Sequence, residues 1–267
     1  MLLKNYKKIV IKIGSTTIVD QSSGKIRTKW LHSICEDIAE LANTNKKIAI
    51  VSSGAIALGK NLISNHKPIK RLEDKQAAAA IGQIELAKHW QQALKKYKIN
   101  TAQLLLTLND SEERRRYLNA RKTITSLHNK KVIPIINEND TVATEEIRYG
   151  DNDRLAARVA QMMGANLLVL LSDIDGLYTA NPYINKQAKR ISNIKIIDEM
   201  IEMMAGKNLS IFGSGGMQTK IWAAKICLNS GCSSIITNGQ KINPLKRITI
   251  NNSSWFISSN SPNMARK

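Results

Sequence analysis

The sequence predicts an α/β protein with a parallel sheet and helices on both of its faces. Three observations carry this. Short apolar runs rich in Ile, Val and Leu alternate with amphipathic segments along the chain, which is the pattern of strand–helix–strand units. The run Leu167-Leu168-Val169-Leu170-Leu171 is apolar at every position, as a strand covered on both faces must be. No repeat and no Pro/Gly/Ser-rich linker divides the 267 residues, so a single domain over 1–267 is expected.

The first strand is Lys8 to Ile13, running into Gly14-Ser15-Thr16-Thr17. Lys12 lies inside this apolar run, where a lysine is costly to desolvate unless an anion meets it. A phosphate ligand and a lysine snorkelling from an edge strand are equally good readings of it. Gly14 and the hydroxyls after it let phosphate approach the backbone, although the Walker spacing is absent. Residues 30 to 42 follow helical spacing through Leu31, Ile34, Cys35, Ile38 and Leu41, which makes Cys35 a core thiol. The second strand, Lys47 to Val51, ends in Ser52-Ser53-Gly54-Ala55, either a second anion loop or a plain serine cap.

Leu72 to Tyr97 reads as a long helix or a pair. Its run Ala77 to Gln83 is small enough for close packing, so contact between subunits and a homo-oligomer are expected. Ala102 to Leu106 is the third strand, residues 111 to 129 are a basic helix, and Val132 to Ile136 is the fourth strand. The polar stretch after it, Asn137 to Asp153, gathers short amides and carboxylates suited to a small polar substrate. Asp151 or Asp153 would also serve as a helix cap there, and Glu145 to Gly150 reads as a short hairpin arm. Leu155 to Met163 is a helix.

The fifth strand, Leu167 to Leu171, ends in Ser172-Asp173-Ile174-Asp175-Gly176, a turn able to shape a nucleotide pocket near Tyr178. Phe212 to Lys220 is a Gly-rich loop opening a helix, and backbone N–H groups at such a start attract phosphate. Lys220 sits at that positive end, unfavourable unless an anion binds. The last clear strand is Ser234 to Thr237, followed by a turn at Asn243-Pro244-Leu245 and a mostly polar tail anchored by Trp255 and Phe256.

Bulk properties exclude several classes. At 43% hydrophobic the chain buries a core, and no run of 18 apolar residues spans a membrane. The N-terminus lacks a signal-peptide pattern, and Cys35, Cys227 and Cys232 form no paired spacing, so a reducing, cytoplasmic setting is expected. No metal-ligand pattern emerges from the four scattered histidines. The net charge is +19, but the basic residues are spread out and aromatics make up only 4%, so nucleic-acid binding is disfavoured. The densest cluster, Arg114-Arg115-Arg116, reads as a solvated helix face.

Taken together, Lys12-Ile13-Gly14-Ser15, Val51 to Ala55, Gln76 to Gln83, Ile136 to Arg154, Ser172 to Asn181 and Gly213 to Lys220 resemble the amino-acid kinase family. Asn137 to Val142 and Gly150 to Asp153 resemble its branch that phosphorylates glutamate. The resemblance implies a three-layer α/β/α sandwich with a mainly parallel central sheet. Its N-terminal part would bind glutamate, and its C-terminal part, from about residue 165, would bind ATP. The implied reaction is transfer of the ATP γ-phosphoryl to the side-chain carboxylate of L-glutamate, with Mg²⁺, on the way to proline, a feedback inhibitor of the pathway. It implies Ser52, Asn137, Asp140 and Asn152 on glutamate, and Lys12, Lys220 and Asp153 at the transferring phosphoryl. ATP would be held by Lys12, Gly14, Ser172, Asp173, Ser214, Gly215, Gly216, Met217, Gln218, Thr219 and Lys220. Ile211-Phe212 departs from the family's glycine and small residue, so a stiffer loop is expected. Many relatives carry a C-terminal PUA domain, and a short form without it is expected here. The alternatives are a sister kinase acting on another carboxylate or a nucleotide, and a non-catalytic nucleic-acid-binding protein.

Overall fold

The computed structural model describes residues 1–64, 69, 71–142, 151–207 and 216–259, with backbone only at 62, 64, 151 and 207. The strands are β1 (Lys8–Ile13), β2 (Lys47–Ser52), β3 (Asn100–Leu106), β4 (Val132–Glu138), β5 (Leu167–Ser172), β6 (Asn193–Ile194), β7 (Ser233–Asn238) and β8 (Ser253–Phe256). The helices are α1 (Ser15–Ile18), α2 (Thr28–Ala42), α3 (Ala55–Ser64), α4 (Leu72–Lys95), α5 (Leu108–Glu112), α6 (Arg114–Asn129), α7 (Asp151–Met163), α8 (Glu199–Lys207) and α9 (Met217–Asn229). They build one eight-stranded sheet in the order β3-β4-β2-β1-β5-β7-β8-β6. Neighbours from β3 to β7 are parallel, and β8 runs antiparallel to β7.

Six of the eight strands stand where the apolar runs predict them. The other two, β6 and β8, are only two and four residues long, and their polar neighbours hide them. The predicted basic helix over 111–129 is two helices, broken where Glu113 turns extended at φ −73°, ψ 118°. The predicted 72–97 segment is one helix rather than a pair. The predicted hairpin arm at 145–150 and the Ile211-Phe212 departure lie outside the described residues.

Side-chain alternation along each strand sorts the core into two layers. Ile9, Ile11 and Ile13 of β1 pack with Trp30, Leu31 and Ile34 of α2 and Leu86 and Trp90 of α4. Val10 faces the other way, among Val159 and Ala160 of α7 and Ile221 and Ala224 of α9. The same rule aims the polar residues at the strand ends. Lys12 shares the α7–α9 side, whereas Ser52 and Asn137 share the α4 side with Ile50 and Ile135.

The small-residue run of α4 packs within the chain. A Cβ on Gly82 would lie 1.9 Å from the Ala55 carbonyl oxygen, and one on Gly59 would lie 1.8 Å from that of Ala78. The backbones of α3 and α4 therefore touch, while Ala77, Ala80 and Ile81 stay exposed. Gly82→Ala is expected to destabilise the fold by about 3 kcal/mol or more, read as a fall of roughly 5–10 °C in Tm. A Tm within a degree of wild type would refute the close packing.

Candidate active site

The carboxyl ends of β1, β2, β4, β5 and β7 open onto one edge of the sheet, because those strands are parallel. Ligands bind at such an edge in open α/β sheets. β1 lies between β2 and β5, with Lys12 beside Val51 and Leu170, so Lys12 is not an edge-strand lysine. Its side chain is only 9% exposed, and Nζ lies 2.7 Å from Asp153 Oδ1 in an ion pair. On the far side of that carboxylate, Lys220 Nζ lies 3.2 Å from Oδ2, and the Thr219 hydroxyl donates to Oδ2 at 2.8 Å. Asp153 is the third residue of α7, and both its oxygens are taken by these groups, so it is an organiser and not a helix cap.

Two buried ammonium groups thus share one buried carboxylate, and the Asp173 carboxylate acts on Lys12 from farther off. Burial alone would raise the Asp153 carboxyl, but the neighbouring Lys12 and Lys220 outweigh it and hold the group far below the usual carboxylate range. Burial lowers the Lys12 ammonium, Lys220 pushes the same way, and Asp153 opposes both. Water is excluded, so an arriving phosphate would be attracted far more strongly here than at the surface. Lys220 also lies in the first turn of α9, whose N-cap Gly216 is extended and leaves its N–H groups to an anion. The structure therefore brings Lys12, Asp153, Thr219, Lys220 and Gly216 together as the sequence expected. Gly14 joins them, since a Cβ on it would lie 3.8 Å from Lys12 Nζ. Met217 points into the core and Gln218 into solvent, so at these two positions only the backbone faces the anion. Ser214 and Gly215 lie outside the described residues.

Ser172 and Asp173 close the other side of β1. The Ser172 hydroxyl donates to the Asp173 carboxylate at 2.9 Å. The loop after β7 braces them, with Gly239 N–H donating to Ser172 O at 2.7 Å and the Asn238 amide to Asp173 O at 2.9 Å. Tyr178, expected near a nucleotide pocket, donates its hydroxyl to Asp175 at 2.8 Å, and burial with that carboxylate pushes it up to about 12.

Ser52, Asn137 and Asn152 meet across the ends of β2 and β4. Ser52 is fully buried and accepts from Trp90 Nε1 at 3.0 Å, so it is a strand residue and not a cap for α3. The turn into α3 is made by Gly54 at φ +117°, with Ile18 and Val19 methyls crowding the space a side chain would need. The Asn152 amide donates to Ser53 Oγ at 2.7 Å and to Asn137 Oδ1 at 3.2 Å. Asn137 is 2% exposed and donates in turn to Gln83 Oε1 at 2.7 Å. Asp140 follows β4 and is half-buried.

Sequence reasoning placed Gln83 only in the small-residue run and its motif, and gave no role to Trp90 or the 238–240 loop. Gln83 carried a usable signal, a polar side chain in phase with the buried Ala78, Ala79, Gly82 and Leu86. Trp30 and Arg27 carried none, although Trp30 Nε1 donates to Gly239 O at 2.6 Å and Arg27 Nη2 to Gln240 O at 3.0 Å. Among the described residues no group of three or more His, Cys, Asp or Glu is placed to hold a metal ion, and no helix is long and apolar enough to cross a membrane.

Comparison with known proteins bears on the family and the fold. The sequence profile of the amino acid kinase family matches residues 7–238. The chain is 55% identical over 266 residues to a protein named glutamate 5-kinase from Agrobacterium fabrum, covering 99% of this chain and 68% of that one. It is 53% identical over 268 residues to one of the same name from Pelagibacter ubique, covering 100% and 73%. Among solved structures, a carbamate kinase from Giardia lamblia bound to AMP-PNP superposes with a TM-score of 0.66 at 16% identity, covering 96% of this chain and 100% of that one. A UMP kinase from Ureaplasma parvum gives 0.64 at 17%, covering 94% and 99%. Those two share the fold. With a profile matching most of its length and relatives above half identity, the chain belongs to the amino acid kinase family.

Proposed function

We propose that this chain transfers the γ-phosphoryl of ATP to the side-chain carboxylate of L-glutamate, giving glutamyl 5-phosphate, the first step towards proline. The observation that carries the proposal is the buried Lys12–Asp153–Lys220 cluster, joined through the adjacent Asn152 of α7 to the polar pocket of Ser53 and Asn137. The relatives named glutamate 5-kinase supply the acceptor.

The chemistry requires no general base. A glutamate side chain titrates near about 4.3 and is already a nucleophile at neutral pH. The chain's own task is alignment and charge neutralisation. Lys12 reaches the transferring phosphoryl from the centre of the sheet and Lys220 from the start of α9. Asp153 spaces the two lysines and keeps each from repelling the other. Ser52, Asp140 and Asn152 hold the amino acid so that its carboxylate faces the phosphorus. Mg²⁺, when bound with ATP, would supply further charge neutralisation at the phosphates. Inhibition by proline and assembly into a homo-oligomer belong to the same proposal. The exposed Ile56, Ile81 and Ile84 on α3 and α4 support the second.

Hydroxylamine traps acyl phosphates, so L-glutamate with ATP is expected to yield the hydroxamate. Turnover of another acid or of a nucleotide, with no hydroxamate from glutamate, would move the chain to a sister branch of the family.

A further inference from the structure

We infer that Gln83 is a positioning residue that sets the polarity of the acceptor pocket, making Asn152 present a hydrogen-bond acceptor to the substrate's ammonium group. The inference rests on the glutamate reading and adds a residue on α4 to it.

Three amides form one directed chain. Asn137 Nδ2 donates to Gln83 Oε1 at 2.7 Å, which turns Asn137 Oδ1 towards α7. Asn152 Nδ2 then donates to Asn137 Oδ1 at 3.2 Å and to Ser53 Oγ at 2.7 Å. A primary amide has two N–H bonds, and both are now used. Asn152 Oδ1 must therefore point the other way, and it is buried without a hydrogen-bond partner. An orphaned buried carbonyl oxygen is costly and needs a donor. A substrate ammonium is such a donor, and a carboxylate or a phosphate is not.

The serine at one end of the chain donates or accepts equally well, and at the other end Gln83 presents its carbonyl oxygen to Asn137, which gives the chain its direction. Gln83 is 8% exposed and sits on the buried face of α4, held against α3 by the glycine contacts at 59 and 82. If position 83 offered a donor instead, Asn137 would turn over, Asn152 would follow, and an N–H would face the ammonium. The pocket would then repel the group it now selects. On the same helix, Trp90 Nε1 donates to Ser52 Oγ at 3.0 Å, which fixes the second wall of the pocket.

The test uses two replacements of opposite character. Gln83→Leu is apolar, of similar size and suited to the α3–α4 contact, but offers no acceptor. Gln83→Glu keeps the acceptor while placing a carboxyl in a buried site. For Gln83→Leu the KM of the amino-acid acceptor is expected to rise about ten- to a hundred-fold. KM for ATP is expected to stay near wild type, while Tm falls by a few degrees because the buried Asn137 N–H loses its acceptor. For Gln83→Glu the acceptor KM is expected to stay within a few-fold of wild type even though Tm falls. A structural role would make KM follow Tm across both variants, and that outcome overturns the inference, as does a Gln83→Leu enzyme with unchanged acceptor KM. The acceptor used is whichever the wild-type panel identifies. Failure of the glutamate reading therefore appears in the wild-type enzyme, and failure of the Gln83 inference appears in the variants.

Discussion

Asp153→Asn is expected to lower kcat by at least about a thousand-fold and to destabilise the fold by about 3–5 kcal/mol. The variant keeps the shape of the side chain but leaves Lys12 and Lys220 buried without a counter-charge. The pH dependence gives this loss a signature. In the wild type the folded Asp153 carboxyl lies below its unfolded value of about 3.9. Its contribution is thus complete above that value and is lost only as pH falls below about 4, towards the folded value. At high pH the variant should show a steeper rise in stability than wild type. Burial already lowers the Lys12 ammonium. Without Asp153 the unfolded chain binds more protons than the folded one, so the variant's stability climbs as pH rises towards about 10. Denaturant unfolding of both proteins between acid and alkaline pH checks each arm. A variant as stable as wild type at neutral pH would remove Asp153 from its organising place.

Lys220→Ala should separate catalysis from stability. The Lys12–Asp153 ion pair remains, so the melting temperature should fall far less than in Asp153→Asn. A transition-state contact is lost, so kcat should fall by about a hundred- to a thousand-fold while KM for the amino acid moves little. Steady-state kinetics beside a thermal melt decides the matter. A raised KM with kcat intact would make Lys220 a binding residue only. Lys12→Ala should show the same fall in kcat with a loss of stability, because it also opens space on the central strand.

Much of this site is legible in the chain, and the reason is periodicity. Lys12 stands out because it interrupts an apolar strand, and Lys220 because it follows a glycine loop into a helix. Strand alternation then fixes the side of the sheet for Lys12, and so its meeting with α7 and α9. Contacts between elements distant in sequence are harder to read. Nothing local tells Asp153 that its two oxygens will be shared by residues 12 and 220: its own stretch suggests only a cap, and the family resemblance is what sets it beside the two lysines. Gln83 and Asn137 are 54 positions apart and meet only because α4 covers the β4 side of the sheet. The short strands are set by pairing, β8 with β7 and β6 with β8, and nothing in their own composition reveals them.

Asn152 and Asp153 are consecutive residues in the first turn of α7. One reaches the amide pocket and the other the lysines, so in the proposed reaction a single helical turn would carry a contact to each reactant. Two ligands that settle the same turn do not bind as independent equilibria. Whatever free energy one occupant spends on ordering that turn is no longer owed by the other, and thermodynamic reciprocity makes the gain equal in both directions. Order of addition would then be a matter of concentration, and ATP hydrolysis without an acceptor would be disfavoured by the same turn that aligns the pair.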